Sequence, residues 1–403
     1  MKIAIIGTGI SALSTAYHLD KKIEIDMYDI NNRMGGHTHT HSIKINNKDI
    51  NVDTGFIVFN NKNYKNLIML FKEFGLKINE SDMSYSFSNN DISWSSKNFF
   101  KLRYYFSFSN LIFFFNILKF NKLAKTKKNI NKSIIEWIKE NNFSKKFSDQ
   151  YIIPMASAIW STLNNKITEF PASTLLNFFE NHGLIKIINR PQWLTLDNGS
   201  KSYIEKFLFN SNIKNIYLSE NIEVEKKLNK VKIISSKNTL EYDYVVFTCN
   251  INQVKKILLN RNEEENIVMN NFQYSENNVI LHQDEQLMPL KMGNWSSWNS
   301  FDYKNRKYLT YWMNSLQKLD TDENLFVTVG DISNLKIKNV LKRIKYEHIV
   351  FSKNTLKGQI ELDKIQGKNN IFYAGAYLGY GFHEDGFESG LRVSSKINNI
   401  FND

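Results

Sequence analysis

The fold is decided by residues 2–36, KIAIIGTGISALSTAYHLDKKIEIDMYDINNRMGG. A short apolar run leads into GTGISA (7–12) and then into a helix-like stretch, which gives the pattern G-x-G-x-x-A between a strand and a helix. Gly7 allows a tight turn, and Gly9 lets the backbone approach a diphosphate. A second strand-like run ends at Asp29, whose carboxylate can accept hydrogen bonds from a ribose. The stretch therefore predicts a Rossmann-like unit that binds a dinucleotide.

Two glycines and an arginine extend this pattern toward a particular cofactor. Arg33, Gly35 and Gly36 complete the spacing Asp-x-x-x-Arg-x-Gly-Gly. This resembles the extended FAD signature of the flavin-containing amine oxidoreductase superfamily, in which the arginine and the glycine pair lie along the cofactor diphosphate. The resemblance implies FAD rather than NAD. We expect FAD to be bound noncovalently, because the single cysteine, Cys249, ends a strand of the nucleotide-binding part.

The distant run GAYLGYGFHEDGFESGL (375–391) resembles the superfamily segment that closes over the ribityl chain and the flavin ring. The predicted cofactor contacts therefore come from both ends of the chain and from the segments between them. They are Gly7, Gly9, Ile10, Ser11, Ala12, Asp29, Ile30, Arg33, Gly35, Gly36, His37, Thr54, Gly55, Phe56, Ile222, Gly375, Ala376, His383, Asp385 and Gly386. We expect His383, Glu384 and Asp385 to lie on a loop beside the flavin, and they are the predicted catalytic acid/base residues. The alternative for Asp385 is a helix cap.

Several further strings resemble one bacterial branch of the superfamily. They include GGHTHT (35–40), VDTGFIVFN (52–60), RPQWLTLDNGSKSYIEKF (190–207) and LHQDEQLMP (281–289). They are similar to FAD-binding proteins associated with cyclopropane fatty acid synthases, a group that includes desaturases of methylated acyl chains on the way to furan fatty acids. This resemblance implies a phospholipid acyl chain as the substrate. Trp160, Trp298 and Tyr311 are the predicted wall of an apolar substrate site.

The strand and helix patterns predict an α/β protein with two interleaved lobes. A Rossmann-like FAD-binding lobe is expected from residues 1–60, 190–262 and 366–403. A substrate lobe with a mixed sheet and helices, similar to that of amine oxidases, is expected from residues 61–189 and 263–365. Only one dinucleotide fingerprint is present, so the sequence gives no support for an NAD(P)H site. Oxygen, a quinone or a protein carrier remain open as the electron acceptor, and the oligomeric state also remains open.

Charge and composition bear on location and partners. The chain has 403 residues, 42% of them hydrophobic, and a formal net charge of +12, which is typical of a globular protein with a basic surface. A lone cysteine and the absence of a leader or a long apolar run indicate a cytoplasmic setting. Residues 99–132 combine clustered aromatic and basic side chains, which predicts either peripheral contact with the anionic inner face of a membrane or a buried helix followed by a basic loop. No nucleic-acid module accompanies them, so we expect no nucleic acid partner.

Three alternating histidines raise the question of a metal. His37, His39 and His41 would share one face of a strand, but no acidic or cysteine ligand accompanies them, so no metal site is predicted. The sequence leaves two alternatives to a fatty acyl desaturase. One is an oxidase of soluble amines, and the other is a noncatalytic flavoprotein that acts as the partner of a lipid methyltransferase.

Overall fold

The computed structural model describes residues 1–98, 108–126, 132–160, 167–186, 189–303, 306–333 and 335–402. The described helices are Ile10–His18, Lys65–Glu73, Phe108–Leu123, Ile134–Glu140, Lys145–Phe147, Ile153–Ile159, Ala172–Asn181, Ser202–Asn210, Ile251–Ile257, Glu263–Asn270, Met313–Gln317, Lys353–Lys364 and His383–Asn402. A π-helical stretch, Ser148–Ile152, joins the fifth and sixth of these helices. In the part of the chain that is described, no helix is long and apolar enough to cross a membrane.

A five-stranded parallel sheet forms the nucleotide-binding part of the fold. Its strands lie in the order Ile213–Leu218, Glu24–Asp29, Lys2–Ile6, Tyr244–Phe247 and Ile371–Tyr373. The central strand is an almost uninterrupted apolar run because helices cover both faces of a parallel sheet of this kind. The first helix, Ile10–His18, packs closely against the last, His383–Asn402: a Cβ atom added at Gly390 would lie 2.4 Å from the carbonyl oxygen of Ser11.

A seven-stranded mixed sheet forms the second part. Its order is Val340–Val350, Gln273–His282, Phe326–Gly330, Arg306–Trp312, Trp298–Tyr303, Tyr85–Asn89 and Ser93–Ser95. All neighbouring pairs are antiparallel except the pair of Trp298–Tyr303 with Tyr85–Asn89. The helices between residues 108 and 181 bring aromatic side chains to the same hydrophobic core as this sheet.

Three smaller sheets complete the described strands. They are the meander Ile222–Lys226, Val231–Ser235 and Thr239–Tyr242, the hairpin Thr40–Ile45 and Lys48–Asp53, and the short set Phe59–Asn60, Trp193–Leu196 and Ile78–Glu80. The last set pairs a strand from residues 61–189 with one from residues 190–262, so it links the two predicted lobes. The predicted class, an α/β fold with a Rossmann-like sheet beside a mixed sheet and helices, is confirmed.

The C-terminal site segment differs from its prediction. His383, Glu384 and Asp385 were expected on a loop, but they form the first turn of the helix His383–Asn402. The Asp385 carboxylate accepts hydrogen bonds from the backbone N–H groups of Tyr380 (3.0 Å) and Phe382 (2.8 Å), and these bonds fix the chain as it enters the helix.

Candidate functional site

A cavity of about 1160 Å³ extends from the glycine turn of the parallel sheet to the aromatic helix Phe108–Leu123. Pockets for one small ligand usually measure roughly 300–1,000 Å³. The cavity is therefore large enough for a cofactor and a second ligand. We call the end near residues 7–11 the nucleotide end, and the end walled by aromatic side chains from residues 94–160 and 298–311 the aromatic end.

The glycine turn leaves space where the motif requires it. Gly7 has φ +107°, and its N–H donates to the carbonyl oxygen of Tyr28 at 2.7 Å. Gly9 caps the helix Ile10–His18 without any side-chain cap, and the helix N-terminus faces the cavity. A Cβ atom at Gly9 would meet its nearest protein neighbours at 3.9 Å, an ordinary contact, so the protein itself has room for a side chain there. A helix N-terminus with open backbone beside it is a favourable place for a diphosphate.

Asp29 is held against this turn by a set of hydrogen bonds. Its Oδ2 accepts from the backbone N–H (3.0 Å) and the hydroxyl (2.5 Å) of Thr8, and its Oδ1 accepts from the backbone N–H of Asn31 at 2.9 Å. The carboxylate lines the cavity at the end of its strand. This is the position in which an acid contacts the ribose in Rossmann-like folds.

Arg33 binds the loop that follows it. Its guanidinium donates to the carbonyl oxygens of Gly36 (2.8 Å), Met34 (3.3 Å) and Thr38 (3.3 Å), and burial lowers its pKa. Gly36 has φ +58° and lies beside Gly9, since a Cβ atom on Gly36 would be 3.2 Å from the Cα atom of Gly9. Arg33 therefore fixes the shape of the cavity wall, and its contact with a diphosphate stays a prediction.

Most of the predicted cofactor residues line the cavity. Those that do so are Gly7, Gly9, Ile10, Ser11, Asp29, Ile30, Arg33, Gly36, His37, Gly55, Phe56, Ile222, Gly375, Ala376 and His383. Those that lie behind the wall are Ala12, Gly35, Thr54, Asp385 and Gly386. Gly386 instead serves the packing of two helices, because a Cβ atom there would lie 2.8 Å from the side chain of Ile10.

His383 faces the cavity with a fixed ring. The ring stacks on Phe56 with centroids 3.8 Å apart, and Nε2 shares a hydrogen bond of 2.6 Å with the hydroxyl of Tyr203. Burial, together with the nearby His37, lowers the pKa of His383 to about 3. The imidazole is therefore neutral, and a weak base, at physiological pH. These contacts favour a positioning role for His383 over proton acceptance.

Glu384 turns away from the cavity. Its carboxylate accepts hydrogen bonds from the backbone N–H groups of Asn66 (2.7 Å) and Leu67 (3.1 Å), at the start of the helix Lys65–Glu73. Glu384 and Asp385 thus satisfy backbone donors, and burial raises the pKa of each to about 7. The contacts of these two carboxylates give no support to their predicted catalytic roles.

The alternating histidines do not share one strand face, contrary to the sequence expectation. The strand begins only at Thr40, and His37 lies before it, stacked on Tyr346 with centroids 5.0 Å apart. His39 and His41 form a separate pair with centroids 4.0 Å apart, and Tyr346 donates or accepts a hydrogen bond with His39 Nδ1 at 2.9 Å. A search of the described residues finds no group of three or more His, Cys, Asp or Glu placed to hold a metal ion.

The aromatic end contains all three predicted substrate residues. Trp298 and Tyr311 meet edge to face at 4.9 Å, and Trp160 donates from Nε1 to the carbonyl oxygen of Tyr380 at 3.1 Å. Further aromatic and aliphatic side chains complete this wall: Trp94, Phe114, Ile117, Tyr151, Met155, Phe178 and Phe382. Apolar and aromatic side chains therefore make up most of the wall at this end.

Within the described residues, each carboxylate that lines the cavity already has a partner. Asp29 binds Thr8, Asp82 pairs with Lys97 at 3.0 Å, Glu220 pairs with Lys237, and Glu347 accepts from Asn250. A cationic amine at the aromatic end would therefore find no unpaired carboxylate there.

Several residues of the cavity wall carried no recognisable signal in the sequence. Tyr346 and His348 alternate along the strand Val340–Val350, so the pattern placed them on one face but could not say that this face meets the cavity. Phe114 and Tyr151 come from two different helical segments, and no local spacing connects them.

Comparisons with known proteins agree with this architecture. Residues 5–74 match the family model of the NAD(P)-binding Rossmann-like domain. No curated protein matches the sequence.

Solved structures match over nearly the full chain at 12% identity. The conjugated-linoleic-acid-producing fatty acid isomerase from P. acnes has a TM-score of 0.72 over 98% of each chain. Cyclohexylamine oxidase from Brevibacterium oxydans has a TM-score of 0.71 over 100% of this chain and 99% of its own. Wild-type putrescine oxidase bound to putrescine has a TM-score of 0.69 over 98% and 99%. The chain is thus similar in fold to a fatty acid isomerase and to amine oxidases, and this likeness concerns the fold alone.

Proposed function

We propose that this protein is an FAD-dependent oxidoreductase that acts on a fatty acyl chain, as a desaturase of methylated acyl chains in membrane phospholipids. The observation that carries the proposal is the single cavity with two different ends. Its nucleotide end has the glycine turn, the helix N-terminus and Asp29, and its aromatic end has an apolar wall with no unpaired carboxylate.

The residues present fit FAD. The open space above Gly9 and the N-terminus of the helix Ile10–His18, which lines the cavity, suit a diphosphate, and the fixed carboxylate of Asp29 suits a ribose. His37 lines the cavity with an exposed side chain, and one side of its ring stacks on Tyr346. FAD would supply an acceptor for a hydride removed from a substrate carbon. Cys249 is half-buried in the cavity wall, and desolvation raises the pKa of its thiol to about 12, which favours the noncovalent mode of binding.

The protein's own residues would position the substrate and exclude water. Trp160, Trp298 and Tyr311 give the chamber a rigid aromatic wall against which an acyl chain can be held in one orientation. His383, fixed by Tyr203 and Phe56, lines the cavity and presents a neutral ring. The similarity in fold to a fatty acid isomerase supports this proposal as an analogy.

An amine oxidase is the second candidate, and the fold similarity to two amine oxidases favours it. Against it stands the electrostatic character of the aromatic end. A diamine would bring a positive charge next to aromatic walls, where Asp82 is already paired with Lys97. The cation would lose its hydration without gaining a carboxylate.

The first prediction tests substrate class directly. Mixing the purified flavin-loaded protein anaerobically with methylated phospholipid should bleach the flavin absorbance at about 450 nm, because a two-electron transfer reduces the ring. The comparison ligands share one octadecenyl chain and differ in the head group, which is a carboxylate, a phosphocholine or an amine. Putrescine is included as a diamine without an acyl chain. Bleaching by amines but by no acyl ligand would show that the protein is an amine oxidase. The absence of bleaching by every ligand would favour a noncatalytic flavoprotein.

We also propose that the protein lies peripherally on the inner face of the membrane, with the helix Phe108–Leu123 as the contact. Four apolar side chains of this helix are exposed: Phe108 (78%), Phe115 (63%), Ile112 (39%) and Leu111 (36%). Lys119 and Lys122 follow on the same helix and are also exposed, which suits anionic headgroups. Phe114 and Ile117, from the same helix, line the cavity, so the apolar contact and the chamber share one element. Residues 99–107 and 127–131 of the predicted contact segment lie outside the described residues.

The second prediction concerns this contact. Replacing Leu111→Ser, Ile112→Ser and Phe115→Ser together should weaken binding to vesicles containing phosphatidylglycerol about tenfold or more, because three apolar side chains lose their burial in the lipid. Sedimentation with vesicles measures the partition. The control is Phe209→Ser, which removes an even more exposed apolar side chain (88%) from a different helix, Ser202–Asn210. If both variants lose the same amount of vesicle binding, the helix Phe108–Leu123 is not the membrane contact.

A further inference from the structure

The segment 189–192 runs along the surface before the strand Trp193–Leu196, and three of its four residues line the cavity. Asn189, Arg190 and Gln192 are exposed, and both Arg190 and Gln192 belong to the cavity wall. Arg190 donates from Nε to the carbonyl oxygen of Lys186 at 2.6 Å, which anchors the base of the guanidinium. Arg190 therefore stands at a point where the cavity meets the surface.

Arg190 lines the same cavity as the aromatic side chains of Trp94 and Tyr151. The rings of Tyr151 and Trp94 stack with centroids 6.1 Å apart. The positive charge of Arg190 also opposes the rise that burial causes in the pKa of Tyr151. An apolar chain whose head group lies at Arg190 would therefore extend into a cavity whose wall includes these two rings.

The other cations of the cavity wall are already committed or lie elsewhere. Lys97 pairs with Asp82 at 3.0 Å, Lys345 pairs with Glu276 at 2.8 Å, and Arg33 donates to backbone carbonyl oxygens. Lys256 lies on the helix Ile251–Ile257, which follows a strand of the nucleotide-binding sheet. Among the described residues, Arg190 forms no ion pair, so it is a cation of the cavity wall that no carboxylate compensates.

We propose that Arg190 binds the oxyanion at the head of an acyl ligand, whose chain then extends into the aromatic chamber. This inference rests on the proposed function and names the head-group chemistry that it left open. The oxyanion is a carboxylate of a free fatty acid or a phosphate of a lipid. Both match a guanidinium, which can donate two parallel N–H bonds to either group. A cationic or neutral head group would gain nothing at this position.

The test compares ligands that share one chain and differ only in the head. Dodecanoate, dodecyl phosphate, dodecanol and dodecylamine are titrated below their micelle concentrations into the flavin-loaded protein. Calorimetry or the fluorescence of the cavity tryptophans measures binding. We expect at least one of the two anions to bind about tenfold or more tightly than dodecanol. The anion that binds more tightly shows whether the head group is a carboxylate or a phosphate.

Two variants of Arg190 and one neighbour make the assignment specific. Arg190→Gln should abolish the preference for the anion and leave dodecanol binding unchanged, and Arg190→Lys should retain part of the preference. Lys186→Gln removes an equally exposed charge four residues away that does not line the cavity, and the preference should persist. A preference that survives Arg190→Gln, or that disappears equally in Lys186→Gln, would overturn the proposal.

The binding experiment and the bleaching experiment together distinguish a wrong head-group site from a wrong oxidation reaction. If the anion preference depends on Arg190 but no acyl ligand bleaches the flavin, the head-group site stands and the oxidation reaction is wrong. If methylated lipid bleaches the flavin but the wild-type protein binds dodecanol as tightly as both anions, the reaction stands and the role of Arg190 is wrong.

Discussion

Lowering the pH from about 7.5 to about 5 is expected to destabilise this protein steeply. All eight histidines have a lowered pKa in the folded protein, and withdrawal of the ring from bulk water, for His37 inside the cavity, is the largest cause in each case: His18, His37, His39, His41, His182, His282, His348 and His383. In the unfolded chain each titrates near its ordinary value of about 6.5. Below that pH the unfolded chain therefore binds more protons than the folded one, and stability falls as the pH falls.

Three carboxyl groups act in the opposite direction. Burial raises the pKa of Asp53 to about 6 and those of Glu384 and Asp385 to about 7, so these groups favour folding as the pH falls. The half-buried histidines also count for less than the buried ones because solvent screens them. Eight histidines oppose three carboxyl groups, so a net uptake of protons on unfolding remains between about pH 6.5 and 4, and each such proton corresponds to about 1.4 kcal/mol per pH unit.

Urea unfolding at constant ionic strength measures this effect. The free energy of unfolding should drop by several kcal/mol, a large part of the stability of a typical domain, between about pH 7 and 5. His282 is fully buried and bound to Thr328 at 2.7 Å, far from the nucleotide end of the cavity, so His282→Gln should reduce the slope by about one proton. A stability that is independent of pH in this range would contradict the prediction.

Gly9→Val should abolish copurification of the flavin and leave the fold intact. The backbone at Gly9 is extended (φ −74°, ψ −175°), a conformation that valine adopts readily. Because protein atoms come no closer than 3.9 Å to an added Cβ, the obstacle would be the diphosphate itself. We expect less than about a tenth of the normal flavin content, with the stability of the apoprotein changed by no more than about 1 kcal/mol.

Gly390→Val is the matched control for this substitution. Here the added Cβ would lie 2.4 Å from the carbonyl oxygen of Ser11, so the first and last helices could not keep their packing. The free energy of unfolding should fall by about 2 kcal/mol or more. A Gly9→Val protein that retains its yellow colour would contradict the assignment of the nucleotide end.

The nucleotide end was predictable because its chemistry is local. The turn at Gly7 and Gly9 and the acid at Asp29 have spacings set by one strand, one helix and the next strand, and these spacings are visible in 36 residues. The existence of the strands of the mixed sheet was predictable, because alternating apolar residues indicate strands. Their order in the sheet was not, because the alternation does not show which strands pair.

The rest of the site depends on contacts between distant segments. Glu384 looked like an acid beside the flavin, but its partners are the N–H groups of Asn66 and Leu67, more than 300 residues earlier in the chain. Asp385 is a helix cap, one of the two roles that its sequence context allowed. Arg190 and Tyr151 line one cavity although they come from a surface segment and a π-helical stretch about 40 residues apart, and no periodic pattern connects them.

The pairing of the chain's first strand with Tyr244–Phe247, and of its first helix with the helix His383–Asn402, has a consequence for biosynthesis. The strand–turn–helix that would receive the dinucleotide emerges from the ribosome before these two partners, which are translated more than 200 and more than 350 residues later. Pairing between segments so distant in sequence is slow, and it leaves apolar surface and unpaired strand edges exposed until the partners are available. Cofactor capture should therefore be a late, post-translational event, and the nascent N-terminal half should be a client of chaperones.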